Sequence, residues 1–308
     1  MHCFVLGTGG MMPLPRRRLT SVVVRPSSRM VQFDCGEGVQ VAFKELRLGI
    51  KALHVVAVTH LHADHCLGLP GVLMFRSQCD DPGPLVVLGP RGIAQFVRHV
   101  IDDLSCHITF PIDVREWTPG ADEVCFEDEE LTIRWAPLVH GVVCLGYRLQ
   151  ERGRPGRFDP DRAKALGVRM GPLWGDLQRG ETVTTETGST VRPEQVLGPA
   201  RRGRAVAYCT DTAPCENLVE LCRDADVAFV EAMFLPEHEE DGRKKLHLTV
   251  LQSLEATKRA GAARTVLVHI SPRYGAAELD EMLALVRGAA PSASIGKELS
   301  VIEIPLPE

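Results

Sequence analysis

Alternating stretches of apolar and mixed sequence predict a chain of strands and helices. Short apolar or β-branched runs at residues 2–6, 20–25 and 30–33 are bounded by glycine or polar residues, which is typical of buried strands. Segments such as 39–48 and 92–104 have apolar residues three or four positions apart, which predicts helices. The remaining predicted strands lie at 54–59, 85–88, 108–135 (in several pieces), 143–150, 205–209, 227–231, 265–269 and 299–304, and the remaining helices at 67–77, 215–222, 249–260 and 276–287.

This order of elements predicts an α/β protein. β-rich and βα segments fill the first 150 residues, and βα segments return after residue 204. Two packed sheets with helices outside them account for that order. A length of 308 residues suffices for one large domain, so we expect residues 1–308 to form a single domain.

The stretch from residue 152 to 204 breaks the pattern. It is rich in Gly, Pro and charged residues, and only residues 161–166 have a helical pattern. A segment of this length without core-facing periodicity is typical of a functional projection or a linker, so we expect 153–199 to form a flexible, protruding arm. Residues 151–204 hold eleven Arg or Lys and seven Asp or Glu, a balance of +4, whereas the rest of the chain has a balance of −9.

Composition limits the compartment and the partners. The apolar fraction is 44% and the charged fraction 24%, both ordinary for a soluble globular protein. No apolar window is long enough to span a membrane, and the N-terminus has no basic segment of the signal-peptide type. Ten cysteines occur without any C-x-x-C pair, which disfavours a cysteine zinc site and favours a reducing cytoplasm.

The segment V-V-A-V-T-H-L-H-A-D-H-C-L-G-L-P at residues 55–70 carries the strongest chemical signal. A buried strand is followed within six residues by His60, His62, Asp64 and His65. Imidazole and carboxylate groups suit borderline divalent metals, zinc first. One tetrahedral ion could not use all four of these closely spaced side chains without strain, so two adjacent ions, each completed by residues from elsewhere, are expected. The motif resembles the signature of the metallo-β-lactamase superfamily, whose members are mostly two-metal hydrolases.

Four further polar residues follow or precede predicted elements. His140, Asp211 and His269 stand after apolar runs, and His247 stands in K-L-H-L-T just before a helix. We assign His60, His62 and His140 to one ion, Asp64, His65 and His269 to the other, and Asp211 to a bridge between them. Two such ions, ~3.5–4 Å apart, provide a hydroxide nucleophile and clamp a phosphodiester. His247 remains as a non-ligand that can protonate the leaving oxygen.

Seven motifs lie along nearly the whole chain: F-D-C-G-E-G-V-Q, T-H-L-H-A-D-H-C-L-G-L-P-G, L-V-H-G, G-P-L-W-G-D-L-Q-R-G, D-T, H-L-T and H-I-S-P-R-Y. In order and spacing they resemble the short form of the ribonuclease Z family, which cuts tRNA precursors at the 3′ end. The resemblance implies an αββα sandwich of two mixed sheets, two Zn²⁺ per subunit (with Mn²⁺ or another divalent ion as the alternative), the ligand set given above and a homodimer. It also implies that His247 is catalytic and that Asp64 handles a proton.

The arm takes part in this resemblance. In the family a flexible arm with a G-P-rich motif grips the tRNA, and the matching residues here are Gly171, Pro172, Trp174 and Gly175. Lys and Arg on such an arm bind phosphates without reading sequence, which makes precursor tRNA the expected partner. Trp174 is expected either to stack on a nucleotide or to pack inside the arm.

Two loops depart from the family's motifs. Near the N-terminus Arg18 keeps the family's arginine, which is expected to bind substrate, but Leu19 replaces an asparagine. The family's E-A-T-F is E-A-M-F here, with Met233 in place of threonine. In the family these loops bind the tRNA 3′ end. The two replacements therefore concern the ability to reject tRNA that already carries CCA, and they do not affect the expected hydrolytic centre.

Three other functions remain as alternatives. The first is a metallo-phosphodiesterase for small or cyclic nucleotides, which needs no arm. The second is a thioester or lactam hydrolase, whose sites often lack an acid at the position of His247. The third is a scaffold that has lost its activity, which the complete set of seven ligand-type residues disfavours.

Overall fold

The computed structural model describes residues 1–307, which fall into two compact units. The larger unit comprises Met1–Gln150 and Ala205–Pro305, and the smaller comprises Glu151–Arg204 with residues 306–307. In chain order the strands are β1 (His2–Gly7), β2 (Ser21–Arg25), β3 (Met30–Phe33), β4 (Leu53–Ala57), β5 (Leu85–Pro90), β6 (Ile112–Trp117), β7 (Val124–Glu127), β8 (Leu131–Leu138), β9 (Cys144–Glu151), β10 (Val183–Thr184), β11 (Thr190–Val191), β12 (Ala205–Cys209), β13 (Val227–Glu231), β14 (Thr265–Val268), β15 (Ala293–Ile295) and β16 (Ser300–Glu303). The α-helices are α1 (Val39–Glu45), α2 (Ala63–Cys66), α3 (Leu69–Arg76), α4 (Ile93–Asp103), α5 (Pro160–Ala165), α6 (Pro172–Gln178), α7 (Glu216–Cys222), α8 (Glu239–Lys245), α9 (Val250–Arg259) and α10 (Ala276–Ala289).

The larger unit contains two mixed sheets of seven strands each. The first has the order β16-β1-β2-β3-β4-β5-β6, and the second has the order β15-β14-β13-β12-β9-β8-β7. β3 to β6 run parallel to one another, as do β12 to β15. The carboxyl ends of parallel strands lie at one edge of a sheet, and α/β proteins place ligand sites there.

Apolar alternation along the strands packs the sheets into a sandwich. In β1, Cys3 and Val5 lie in a core that also contains Tyr147 and Tyr208 of the second sheet. The intervening Phe4 belongs to a different cluster, formed with α1, α3 and α4. The outer face of the second sheet packs in the same way against α7, α9 and α10. The predicted αββα sandwich is therefore confirmed.

The smaller unit is more ordered than the sequence pattern predicts. It contains α5, α6 and the β10–β11 hairpin around a small core of its own, formed by Ala163, Val168, Leu177, Val183, Val191 and Val196. The sequence of this segment shows no core-facing periodicity, yet the folded segment has core-facing residues. Each short element contributes only one or two apolar side chains, so no window shows a helical or strand period.

Two features of the described residues concern the cysteines and the helices. All ten cysteines are free thiols, and most of them are buried. Within residues 1–307, no helix has the length and apolar character needed to cross a lipid bilayer.

Candidate metal centre

The candidate ligands follow strands of both sheets. His60 and His62 follow β4, His140 follows β8, Asp211 follows β12 and His269 follows β14. The remaining two, Asp64 and His65, lie on α2, the helical turn directly after the β4 segment. The structure thus brings together all seven residues that the sequence assigns to a metal centre.

The first cluster consists of His60, His62, His140 and Asp211. His62 Nδ1 lies 2.9 Å from His60 Nε2 and 3.4 Å from His140 Nε2. Asp211 Oδ2 is 3.6 Å from His60 Nε2 and 4.0 Å from His140 Nε2. These four donor atoms lie within 4.8 Å of one another, so one ion can be reached by all of them.

The second cluster consists of Asp64, His65 and His269. The Nε2 atoms of the two histidines are 3.2 Å apart. Each of those atoms also lies 3.4 Å from Asp64 Oδ2. The three donor atoms therefore converge on one point, as the ligands of a single ion do.

Asp211 joins the two clusters. Its Oδ1 lies 3.4 Å from His65 Nε2 and 3.3 Å from His269 Nε2, whereas its Oδ2 faces the first cluster. The carboxylate is buried, and Oδ1 has no hydrogen-bond partner among the described residues. A buried acceptor without a donor is costly, and a divalent cation held here would satisfy it.

The donor set fits divalent metal. Four donors at about 2.0–2.1 Å from a tetrahedral zinc stand about 3.3 Å apart, and most of the distances in both clusters lie close to that value. Asp211 and His269 also have φ angles of 56° and 55°. Left-handed backbone at a non-glycine residue costs of order 1–3 kcal/mol and is concentrated at functional sites.

Charge and burial keep two of the donors, His60 and Asp64, in ligand-competent states. Burial, reinforced by neighbouring His65, lowers the pKa of His60 well below its usual value, which favours the neutral ring that metals bind. Burial alone raises the pKa of Asp64, but hydrogen bonds from His269 and His65 outweigh it and hold that pKa far below its usual range. Asp64 is therefore ionised.

Asp34 orients His65, a role that the sequence analysis did not assign. Its Oδ2 lies 2.7 Å from His65 Nδ1 and accepts a hydrogen bond from the Tyr208 hydroxyl at 2.9 Å, while its Oδ1 accepts from Thr59 N at 2.7 Å. A carboxylate on one ring nitrogen fixes the tautomer and leaves the other nitrogen for metal. His140 is fixed in the same way, since its Nδ1 lies 3.2 Å from Leu246 O.

His247 lies beside the clusters with a carboxylate of its own. Its Nδ1 is 3.0 Å from Glu231 Oε2, and its ring centroid lies 5.0 Å from that of His140. Burial lowers the pKa of His247, but Glu231 outweighs it and raises that pKa to about 9. A donor atom of His247 also lies within 4.8 Å of donors of Asp211 and His269, so both a ligand and a proton donor are geometrically available roles.

The loop of residues 8–20 holds the second cluster in place. Met11 N donates to Asp64 Oδ2 at 2.6 Å, and His269 N donates to Thr20 Oγ1 at 3.1 Å. A β-carbon added to Gly10 would stand 2.7 Å from Cε1 of His269, so only glycine lets the backbone lie against that imidazole. This G-T-G-G stretch at residues 7–10 has no apolar period or ligand-type residue that would indicate the role from sequence.

Arg18 and Trp174, both predicted to bind substrate, have partners within the protein. The guanidinium of Arg18 lies 2.6 Å from Glu45 Oε2 and 3.3 Å from Glu298 Oε2. In the smaller unit, Trp174 Nε1 donates to Val168 O at 3.1 Å, and its ring centroid is 5.0 Å from that of Phe158. The indole of Trp174 therefore packs inside its own unit, which was one of the two expectations for it. The other residues of the motif lie on the same helix: Gly171 is the N-cap of α6, Pro172 is its first residue and Gly175 lies within it.

Comparisons with known proteins find similar families and a similar fold. Residues 180–270 match the model of the beta-lactamase superfamily domain, and residues 1–93 match that of the Anti-Pycsar protein Apyc1. The human tRNase Z, short form, is similar in structure, with a TM-score of 0.73 and 23% identity, and the match covers 99% of this chain and 100% of that one.

Sequence relatives extend over the full length. A ribonuclease Z of Treponema denticola is 39% identical, and the alignment covers 99% of this chain and 98% of the relative. A ribonuclease Z of Salinibacter ruber is 38% identical over 97% of this chain and 93% of the relative. Taken with the fold and the paired ligand clusters, this similarity establishes that the chain belongs to the ribonuclease Z family of metal-dependent hydrolases with the metallo-β-lactamase fold.

Proposed function

We propose that the protein is an endoribonuclease that removes the 3′ trailer from precursor tRNA by hydrolysing a phosphodiester. Membership of the ribonuclease Z family supports the substrate. The single structural observation that carries the chemistry is the pair of ligand clusters that share Asp211. A phosphodiester needs a nucleophile, charge neutralisation and a proton for the leaving oxygen, and the site offers residues for each.

The two clusters would hold two divalent ions, with zinc as the first candidate. His60, His62 and His140 are proposed for one ion, Asp64, His65 and His269 for the other, and Asp211 for both. When bound, such a pair of ions supplies a nucleophile at neutral pH and stabilises charge on the phosphoryl oxygens. Nitrogen and carboxylate donors without thiolates suit zinc, and they also accept Mn²⁺.

His247 is proposed as the acid that protonates the leaving oxygen. The Glu231 carboxylate at 3.0 Å holds the ring by Nδ1 and leaves Nε2 to face the substrate. The raised pKa keeps the imidazolium populated at neutral pH. Asp64, held by Met11 N and ionised, is proposed to accept a proton on the nucleophile's side of the reaction.

The unit of residues 151–204 is proposed to bind tRNA phosphates. Its balance of +4 stands against −9 in the remainder of the chain, and Lys and Arg contacts to phosphates give affinity without sequence readout. Since Trp174 packs inside this unit, we assign the binding to its cationic side chains rather than to base stacking. We propose that the arm comprises residues 153–199 and is an insertion within a metallo-β-lactamase-type domain that spans residues 1–308.

A homodimer and a cytoplasmic location complete the proposal. The adjoining helices α1 and α3 expose Val41 and Met74, which supports self-association, as does the resemblance to a dimeric family. Ten free thiols support a reducing compartment.

Incubation with a 3′-extended precursor tRNA tests the proposal. A single cut at the base of the trailer, mapped to the nucleotide and lost on chelation, is the expected result. Hydrolysis of small or cyclic nucleotides together with inert precursor tRNA would replace the proposal with the small-substrate phosphodiesterase.

A further inference from the structure

Tyr208 places a hydroxyl inside the apolar layer between the two sheets. In β12, Val206 and Tyr208 face the core between the sheets, whereas Ala207 and Cys209 pack with α7. Tyr208 is fully buried, and its ring stacks on that of Phe33 at a centroid distance of 5.2 Å. A phenylalanine would make the same ring contacts. Because a buried hydroxyl is costly unless it is hydrogen-bonded, the role of the side chain lies in what its oxygen contacts.

The hydroxyl of Tyr208 reaches from the second sheet to Asp34 of the first. Asp34 directly follows β3, and its Oδ2 accepts the Tyr208 hydroxyl at 2.9 Å. The other groups bonded to this carboxylate belong to Thr59 and His65, which lie in the segment after β4 of the first sheet. Among the described residues, Tyr208 is thus the one partner of the Asp34 carboxylate that the second sheet supplies.

The main chain of Asp34 is fixed within the first sheet. Its N donates to Ala57 O at 2.9 Å, and its O accepts from Ser21 Oγ at 2.7 Å and from Gln32 Nε2 at 3.0 Å. Its φ angle of 55° is left-handed, a conformation that non-glycine residues adopt mostly at functional sites. The backbone therefore fixes the position of this residue, and the side-chain partners determine how its carboxylate is turned.

The second cluster needs ligands from both sheets in register. His65 comes from the first sheet, whereas Asp211 stands three residues after Tyr208 at the end of β12. His65 Nε2 lies 3.4 Å from Asp211 Oδ1 and 3.2 Å from His269 Nε2. The opposite ring nitrogen, Nδ1, is held by Asp34 at 2.7 Å. A turned Asp34 carboxylate would turn the ring and move Nε2 away from the other two donors.

We propose that Tyr208 is a positioning residue for the ion of the second cluster: its hydroxyl holds the Asp34 carboxylate in the orientation that directs His65 Nε2 at the metal. The inference rests on the proposed assignment of His65 to that ion. Tyr208 bonds to Oδ2, the oxygen that holds His65, whereas Thr59 Oγ1 connects the carboxylate to His60 Nδ1 at 3.0 Å. Loss of the hydroxyl should therefore weaken the ion of the second cluster more than that of the first.

The test is the zinc affinity of Tyr208→Phe, which loses one oxygen and keeps the ring. Zinc is titrated into the metal-free protein in competition with a chelator, so the affinity is measured without any activity assay. In Tyr208→Phe, one ion should bind roughly 10- to 100-fold more weakly, the usual effect of losing a partner behind a metal ligand. In a His62→Ala background, which lacks a ligand of the first cluster only, the remaining ion should show the same loss.

Tyr147→Phe is the matched control. Tyr147 is also fully buried in the core between the sheets, but its hydroxyl donates to a main-chain acceptor, Val58 O, at 2.7 Å. Both variants should unfold at lower urea concentration in the metal-free state, since each loses a buried hydrogen bond, but only Tyr208→Phe should lose zinc affinity. In an Asp34→Asn background, Tyr208→Phe should have little further effect on affinity, because residues that act through one contact are not additive.

Three results would overturn the inference. Unchanged zinc affinity in Tyr208→Phe would mean that the hydroxyl does not position a ligand. Equal losses of affinity in Tyr208→Phe and Tyr147→Phe would indicate a general loosening of the core, and failure of Tyr208→Phe to fold would make the hydroxyl a requirement of the fold. Binding of fewer than two ions by the unmodified protein would instead defeat the proposed dinuclear site, and this inference with it.

Discussion

His60 and His247 lie in the same centre and differ in protonation because of their neighbours. Burial and the other imidazoles lower the pKa of His60, so its ring is neutral and can donate a lone pair. Glu231 outweighs burial at His247 and raises its pKa to about 9, so that ring carries a proton that can be transferred. The two rings therefore suit opposite tasks, metal binding and acid catalysis.

Replacing His247 separates these tasks. If His247 is the acid, His247→Ala should retain the metal content of the unmodified protein, whereas turnover should fall by roughly 10²–10⁴. Elemental analysis and single-turnover cleavage of precursor tRNA measure the two effects. The control is His99→Ala, which removes an exposed histidine of α4. Loss of metal in His247→Ala would show that His247 is a metal ligand and not the acid.

Replacing Glu231 by glutamine should move the pH profile. The acid works while His247 is protonated, so activity is present below its pKa and is lost as pH rises through it. Removing the Glu231 charge lowers that pKa towards the ordinary value of about 6.5. In Glu231→Gln, the decrease of kcat at high pH should therefore occur at lower pH than in the unmodified enzyme, while the metal content stays equal. If the decrease occurs at the same pH in both proteins, deprotonation of His247 is not its cause.

The candidate ligands could be singled out from the sequence because they follow apolar runs, either directly or, for Asp64 and His65, in the helical turn α2 after such a run. Asp34 and Glu231 carry the same signal, at the ends of the predicted strands 30–33 and 227–231. They were missed because their roles depend on which histidine each one contacts. Those contacts, to His65 and His247, arise only in the folded chain.

At the scale of elements, apolar periodicity predicted the elements that face a large core and missed those that do not. The strand bounds 205–209 and 227–231 agree with β12 and β13. By contrast, α8 has the sequence E-E-D-G-R-K-K, in which only Gly242 is buried, so it has no apolar face to detect. The small core of residues 151–204 is also not detectable from the sequence, because very short elements each contribute only one or two of its apolar side chains.

Replacing residues 153–199 by a short Gly-Ser linker tests the arm as an element. Arg154 and Arg201 form a β-bridge across its base, so a short linker closes the gap at small entropic cost. Hydrolysis of a small activated phosphodiester should continue near the intact rate, while cleavage of precursor tRNA should fall steeply through KM, since phosphate contacts are lost.

A salt titration of the intact enzyme is the companion measurement for the arm. Affinity for precursor tRNA should decrease with rising salt, whereas the small-substrate rate should change little. Equal cleavage of precursor tRNA by the shortened and intact proteins would make the arm a surface insertion without a substrate role.

For the molecule as a whole, the paired clusters predict two tightly held ions per chain. Protein purified without added metal should contain two by elemental analysis. Asp211→Ala should lower occupancy at both positions, because one carboxylate oxygen faces each cluster. His99→Ala should keep both ions, and a constant value of one ion in the unmodified protein would contradict the dinuclear assignment.

The pairing of β1 with β16 has a consequence for how the protein is made. Their register joins His2 to Glu303, so the first sheet acquires the strand β16 only after residue 303 has left the ribosome. The donor set is similarly spread, from His60 to His269. Contacts of such long sequence separation form slowly, and nascent chains that await them expose strand edges. Metal binding by this donor set is therefore expected late in synthesis, after residue 269 has been added.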